Sequence, residues 1–96
     1  MDMTKFTRHI YRRILRLKVR VRFKQLHWTN VGEQKGREIS IDLKGLAHPA
    51  RIFVHECLHV LNPETKESKI LALERKMWKE LGRKEILTLY RRMFRR

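Results

Sequence analysis

The sequence predicts an α+β fold in a single domain spanning residues 1–96: an N-terminal helix, a small antiparallel or mixed sheet, then three helices. Three observations predict it. Apolar residues near the N-terminus recur at four-residue steps, the period falls to two over 18–24 and again over 38–44, and a helical period returns after Gly45 and holds to the end.

Phe6, Ile10 and Ile14, with Arg8, Arg12, Arg13 and Arg16 between them, predict an amphipathic helix over about 3–16 whose outer face is cationic. Val19, Val21 and Phe23 then alternate with Lys18, Arg20, Arg22 and Lys24, which is a strand with one apolar and one basic face. Residues 27–37 mix polar side chains with Gly32 and Gly36 and read as a loop or wide hairpin. Ile39, Ile41 and Leu43 alternate with Glu38, Ser40, Asp42 and Lys44 in a second half-buried strand closed by Gly45. Pro49 suits the first turn of a helix that carries Val54, Cys57, Leu58 and Leu61 on its inner side and ends near Asn62-Pro63. A third helix is expected from Pro63 or Glu64 to Gly82, with Ile70, Leu73, Met77 and Leu81 on one stripe. The last, over about 83–94, carries Ile86, Leu87, Tyr90 and Phe94.

Composition narrows the function classes. At 42% apolar and 35% charged residues the chain is too apolar for a disordered tail and too charged for a membrane protein. Its longest aliphatic or aromatic run is Ile52-Phe53-Val54, far short of a spanning segment. The N-terminus shows no apolar block of a secretory signal, and the lone Cys57 excludes an internal disulfide, so a reducing, cytoplasmic setting is expected. The net charge of +14 sits at the two ends: residues 1–24 carry nine Lys/Arg against one Asp, and residues 83–96 carry six against one Glu. Basic flanks around a nearly neutral centre point to an anionic partner, nucleic acid first, with Arg12, Arg13, Arg16, Arg20 and Arg22 as candidate contacts.

The neutral centre holds His55-Glu56-Cys57-Leu58-His59, an H-E-x-x-H string on the second expected helix. Four residues is slightly more than one turn, so His55 and His59 share a face and can ligate one ion, while Glu56 is turned about 100° away and stands beside it. That is the position of a general base for water activated by zinc, whose charge neutral imidazoles leave largely uncompensated. A catalytic site needs a third protein ligand. The choice lies among carboxylates downstream and His9, His27 or His48 upstream. Stepping 100° per residue along the third helix puts Glu67 and Glu74 inside its apolar arc and Glu80 just outside it. An antiparallel helical hairpin sets residue 67 opposite His59, which favours Glu67 as ligand; Glu74 remains the alternative ligand, or a carboxylate that supports a ligand from behind and pairs with a basic residue of the first or fourth helix.

With strand Ile39–Leu43, helix Ile52–Leu61 and the run Glu67-Ser68-Lys69-Ile70-Leu71-Ala72, the chain resembles a minimal zincin metallopeptidase of the gluzincin type. It is most similar to small phage or mobile-element metallopeptidases and the ImmA/IrrE-type proteases. The resemblance implies a zincin-like fold around an active-site helix, zinc held by His55, His59 and Glu67, Glu56 as catalytic base, and a protein or peptide substrate; with the basic flanks, a nucleic-acid-associated protein is the kind of substrate expected. It further implies that a sheet edge, for which Glu38–Lys44 is the candidate, receives the substrate as an added strand. His48, Tyr90 and Tyr11 have the chemistry to stabilise an oxyanion. The competing expectation is a small basic nucleic-acid-binding protein in which any metal is structural. Cys57, Trp28, Trp78 and Met77 are expected in the core.

Overall fold

The computed structural model describes residues 3–24, 32–42 and 48–95. Among these, helix α1 (Lys5–Arg16) is followed by strands β1 (Arg20–Phe23), β2 (Gly32–Lys35) and β3 (Glu38–Ile41), then helices α2 (Pro49–Leu61), α3 (Glu67–Glu80) and α4 (Arg83–Phe94). The fold is α+β. His27, Trp28, Leu43, Lys44 and Gly45, which carried parts of the sequence reading, lie outside the described residues.

The sheet is mixed. Its order is β1-β3-β2, with β1 parallel and β2 antiparallel to β3. Strand β2 lies within the stretch read as a loop, and the reason is physical: Gly32-Glu33-Gln34-Lys35 has no alternation to betray it, because an edge strand is fixed by its backbone ladder to one neighbour. A two-residue turn joins it to β3, and Gly36 adopts the left-handed φ of 58° that the first position of a Gly-X hairpin turn favours. A second correction follows. Strand β3, expected to be the exposed edge, is bonded on both sides, so its segment of Glu38–Lys44 cannot receive an added strand. The edge next to α2 is β2.

Helix α2 sits at the centre, against β2, β3, α3, α4 and α1. Pro49 occupies its first turn as expected, and Ile52, Phe53, Val54, Cys57 and Leu58 are buried with Ile39 and Ile41 of the sheet and Ile70, Met77 and Leu89 of α3 and α4. Burial pushes the Cys57 thiol strongly up, which makes it an inert core side chain. Helix α3 begins at Glu67, later than predicted, because Pro63 and Glu64 belong to a turn closed by Thr65 N–H donating to Asn62 C=O at 3.1 Å.

Helix α1 buries Thr7, Ile10, Tyr11 and Ile14, whereas Phe6, assigned to the inner stripe by spacing, is half exposed. Thr7 takes the inner position because of Glu80. One oxygen of that buried carboxylate accepts from Thr4 N–H at 2.7 Å and the other from the Thr7 hydroxyl at 2.9 Å, with Lys76 Nζ at 3.4 Å. The Thr4 backbone donor, helped by the hydroxyls and Lys76, holds the Glu80 carboxyl at about 2. A carboxyl depressed in the folded state stabilises fully above its unfolded value of about 4.3 and loses that contribution as pH falls toward the folded value. The melting-temperature gap between the parent and Glu80→Gln should therefore be widest near neutrality and close between about pH 4.5 and pH 2. A gap that stays constant through that window would show that the ionised carboxylate does not anchor α1.

Candidate metal centre

One turn of α2 and the first residue of α3 build the site. His55 and His59 project from one face of α2, with ring centroids 4.9 Å apart and Nε2 atoms 3.3 Å apart. Glu67 reaches both: Oε1 lies 2.7 Å from His55 Nε2 and Oε2 lies 2.8 Å from His59 Nε2. A carboxylate in the first turn of α3 is favoured there by the positive end of the helix dipole, so its position is compatible with α3 as well as with the cluster. The site faces solvent at Glu67, whose side chain is 57% exposed, while the His55 side chain is 16% exposed.

The donor set fits a metal ion. Two nitrogens bound tetrahedrally at about 2.0 to 2.1 Å would stand about 3.3 to 3.4 Å apart, and the two Nε2 atoms are 3.3 Å apart. One ligand atom from each of His55, His59 and Glu67 falls within 4.8 Å of the others. Both histidines present the same nitrogen to the same point, and a carboxylate supplies the third donor, a combination compatible with a divalent transition-metal ion.

The second nitrogen of His55 is also held. Its Nδ1 lies 2.7 Å from Glu74 Oε1, and the other Glu74 oxygen accepts from Arg51 Nε at 2.6 Å. An Nδ1–H donated to an ionised carboxylate leaves Nε2 to face the cluster. Glu74 is buried and lies two helical turns beyond Glu67, so both carboxylates share a face of α3, one at each end of the His55 ring. The partner of Glu74 was expected from the first or fourth helix and comes from α2. Arg51 is four residues before His55, so Arg51, His55 and His59 form one helical stripe, a spacing that the sequence displays. Arg51 is in turn laid against Trp78, with its guanidinium carbon 5.9 Å from the ring centroid.

Glu56 is buried, unlike the exposed Glu67. It packs under the first residue of β2: a Cβ on Gly32 would stand 3.1 Å from Glu56 Oε2 and 2.5 Å from Ile52 Cγ2. Burial pushes the Glu56 carboxyl up, the nearby His55 and His59 oppose this, and Glu67 and Glu74 add to it. Gly32 was read only as a loop residue. It is the point where the edge strand closes over the carboxylate, and nothing local in the sequence distinguishes it from a turn glycine.

Other candidates fall elsewhere. His48 is the exposed residue preceding α2, its ring 5.6 Å from Trp78, and seven residues of helix set it about 10 Å from His55 along the axis. Tyr90 is half-buried against the core on α4, and no hydrogen bond among the described residues joins it to the cluster. The Tyr11 hydroxyl donates to Glu85 C=O at 3.2 Å, between α1 and α4. Arg12, Arg13, Arg16, Arg20 and Arg22 are all exposed; Glu38 lies 3.7 Å from Arg22 and is the register partner of Arg20. His9 is exposed on α1. No described helix is long and apolar enough to cross a membrane. The chain matches no family model, no curated protein and no solved structure.

Proposed function

We propose that the chain is a zinc-dependent metallopeptidase of the H-E-x-x-H, gluzincin-like type, acting on a protein or peptide. The observation that carries the reading is the meeting of one carboxylate, Glu67, with both Nε2 atoms of the histidine pair, beside a buried carboxylate that makes no ligand-like contact with them. His55, His59 and Glu67 would hold the ion. Zinc bound there would supply Lewis acidity toward a peptide carbonyl and a lowered pKa for water.

The rest is the work of the chain. Glu56 accepts a proton from the attacking water and passes it to the leaving amide nitrogen, so the carboxylate is regenerated when the C–N bond breaks. Glu56 is next in sequence to His55 and three residues before His59, and its burial beneath Gly32 keeps that carboxylate beside the histidine pair and out of bulk water. Glu74, fixed by Arg51, orients the His55 ring. Strand β2 is bonded to β3 on one side, and among the described residues no strand pairs with its other side, so it is the edge on which an extended peptide would add backbone hydrogen bonds.

Elemental analysis of untagged protein tests the site. About one zinc per chain is expected, lost in His59→Ala and weakened in Glu67→Ala. Folded, metal-free protein that added zinc does not saturate would overturn the reading and leave the alternative, a basic nucleic-acid-binding protein, whose support lies in the separate cationic surface.

A further inference from the structure

We infer that the trough between α4, the end of α1 and strand β1 binds a single-stranded nucleic acid, with arginines on its phosphates and Phe94 beneath a base. This does not rest on the metallopeptidase reading, because none of the residues involved belongs to the histidine cluster.

Two hollows meet there. One, of about 250 Å³, lies between α1 and α4 and is lined by Leu15, Thr88, Arg91, Arg92 and Arg95. The other, of about 650 Å³, lies between β1 and α4, and its lining includes Arg20, Val21, Phe23, Phe94 and Arg95. Arg95 lines both, so the two hollows adjoin at its side chain. Arg92 is a fixed wall, since its Nη2 donates to the carbonyls of Leu17 and Val19 and ties α4 to the α1–β1 connection. Arg20, Arg91 and Arg95 are exposed on the rim.

Among the described residues no carboxylate lines either hollow. Residues 3–24 contain nine Lys/Arg and no Asp or Glu. The single acid of α4, Glu85, is engaged at the far end of that helix, where Oε1 accepts from Gly82 N–H at 3.1 Å. On the β1 side Glu38 is the register partner of Arg20 and lies 3.7 Å from Arg22, so the excess positive charge is concentrated on Arg91, Arg92 and Arg95 of α4, where a phosphodiester chain would run.

Charge alone would suit any polyanion, and Phe94 makes the choice. It is 63% exposed, yet its ring stacks on Phe23 with centroids 5.1 Å apart and planes 19° apart. An exposed aromatic ring backed by a second one and bordered by arginines is a platform for an unpaired base. A duplex keeps its bases out of reach of such a ring, and an acidic peptide has no planar group to place on it at each residue.

Fluorescence anisotropy of the full chain with an end-labelled single-stranded oligonucleotide of about a dozen nucleotides provides the test. Binding should fall steeply with salt, and Phe94→Ala, which changes no charge, should weaken it about five-fold or more. Arg20→Gln with Arg95→Gln should weaken it more than Lys69→Gln with Arg75→Gln, which removes equal charge from the exposed face of α3. Glu56→Gln should bind as the parent does, so the failure of either reading leaves the other standing. Equal weakening by the two charge pairs with no effect of Phe94→Ala would overturn the proposal, as would tighter binding of a duplex of the same length. Displacement by polyglutamate as effective as by unlabelled strand would overturn it in favour of an acidic protein segment. Melting curves establish that each variant is folded.

Discussion

Glu56→Gln is expected to leave about one zinc bound per chain while lowering peptide hydrolysis by about a hundred-fold to ten-thousand-fold. The substitution keeps the shape of the side chain and removes its ability to take a proton. Because Glu56 is buried beneath Gly32 and does not share the contacts of His55, His59 and Glu67, the amide should fit without disturbing the donor set. Hydrolysis of a denatured protein substrate, followed with zinc content on the same samples, separates the outcomes. Unchanged turnover would sink Glu56 as the base, and loss of zinc would make it a ligand.

Gly32→Ala should be as damaging although it changes no chemistry. The added methyl would meet Ile52 Cγ2 at 2.5 Å, and that atom branches from the Cβ of a buried side chain on α2, so it cannot swing aside. Either β2 lifts from α2 or the helix shifts, at about 1 to 3 kcal/mol. Both outcomes disturb the Glu56 carboxylate, which the methyl approaches to 3.1 Å. Gly36→Ala is the matched control: it strains a backbone with φ of 58° but meets nothing within 4 Å. Thermal denaturation should show both variants destabilised, and hydrolysis, assayed well below either melting point, should be lost only in Gly32→Ala. Full activity in folded Gly32→Ala protein would separate the strand from the site.

The helices were legible because each carries an apolar stripe at a helical period, and α4 lies where its spacing placed it, at Arg83–Phe94. The H-E-x-x-H geometry was legible for the same reason, and the short α2–α3 connection brought Glu67 rather than Glu74 to both Nε2 atoms. What stayed hidden is non-local. The parallel pairing of β1 with β3 moves β3 from the edge to the middle, and no property of Glu38–Ile41 alone could reveal it. Glu80 falls just outside the apolar arc by angle, and the arrival of Thr4 and Thr7 from 73 or more positions away in the chain, with Lys76 beside them, makes its burial tolerable.

The grip on His55 divides the two histidines by when each becomes ordered. With Glu74 on Nδ1 and Glu67 facing Nε2, the His55 imidazole is held at both ends, and a half-turn of the ring would break a 2.7 Å contact at each. Its torsional freedom is surrendered as α2 and α3 dock, before any ion arrives. His59 contacts the cluster through Nε2, and among the described residues no hydrogen bond engages its Nδ1. An ion bound by this cluster would therefore meet one preset nitrogen and one ring still to be ordered, so the docking of α2 against α3 would bear on how fast it is taken up as well as on how tightly it is kept.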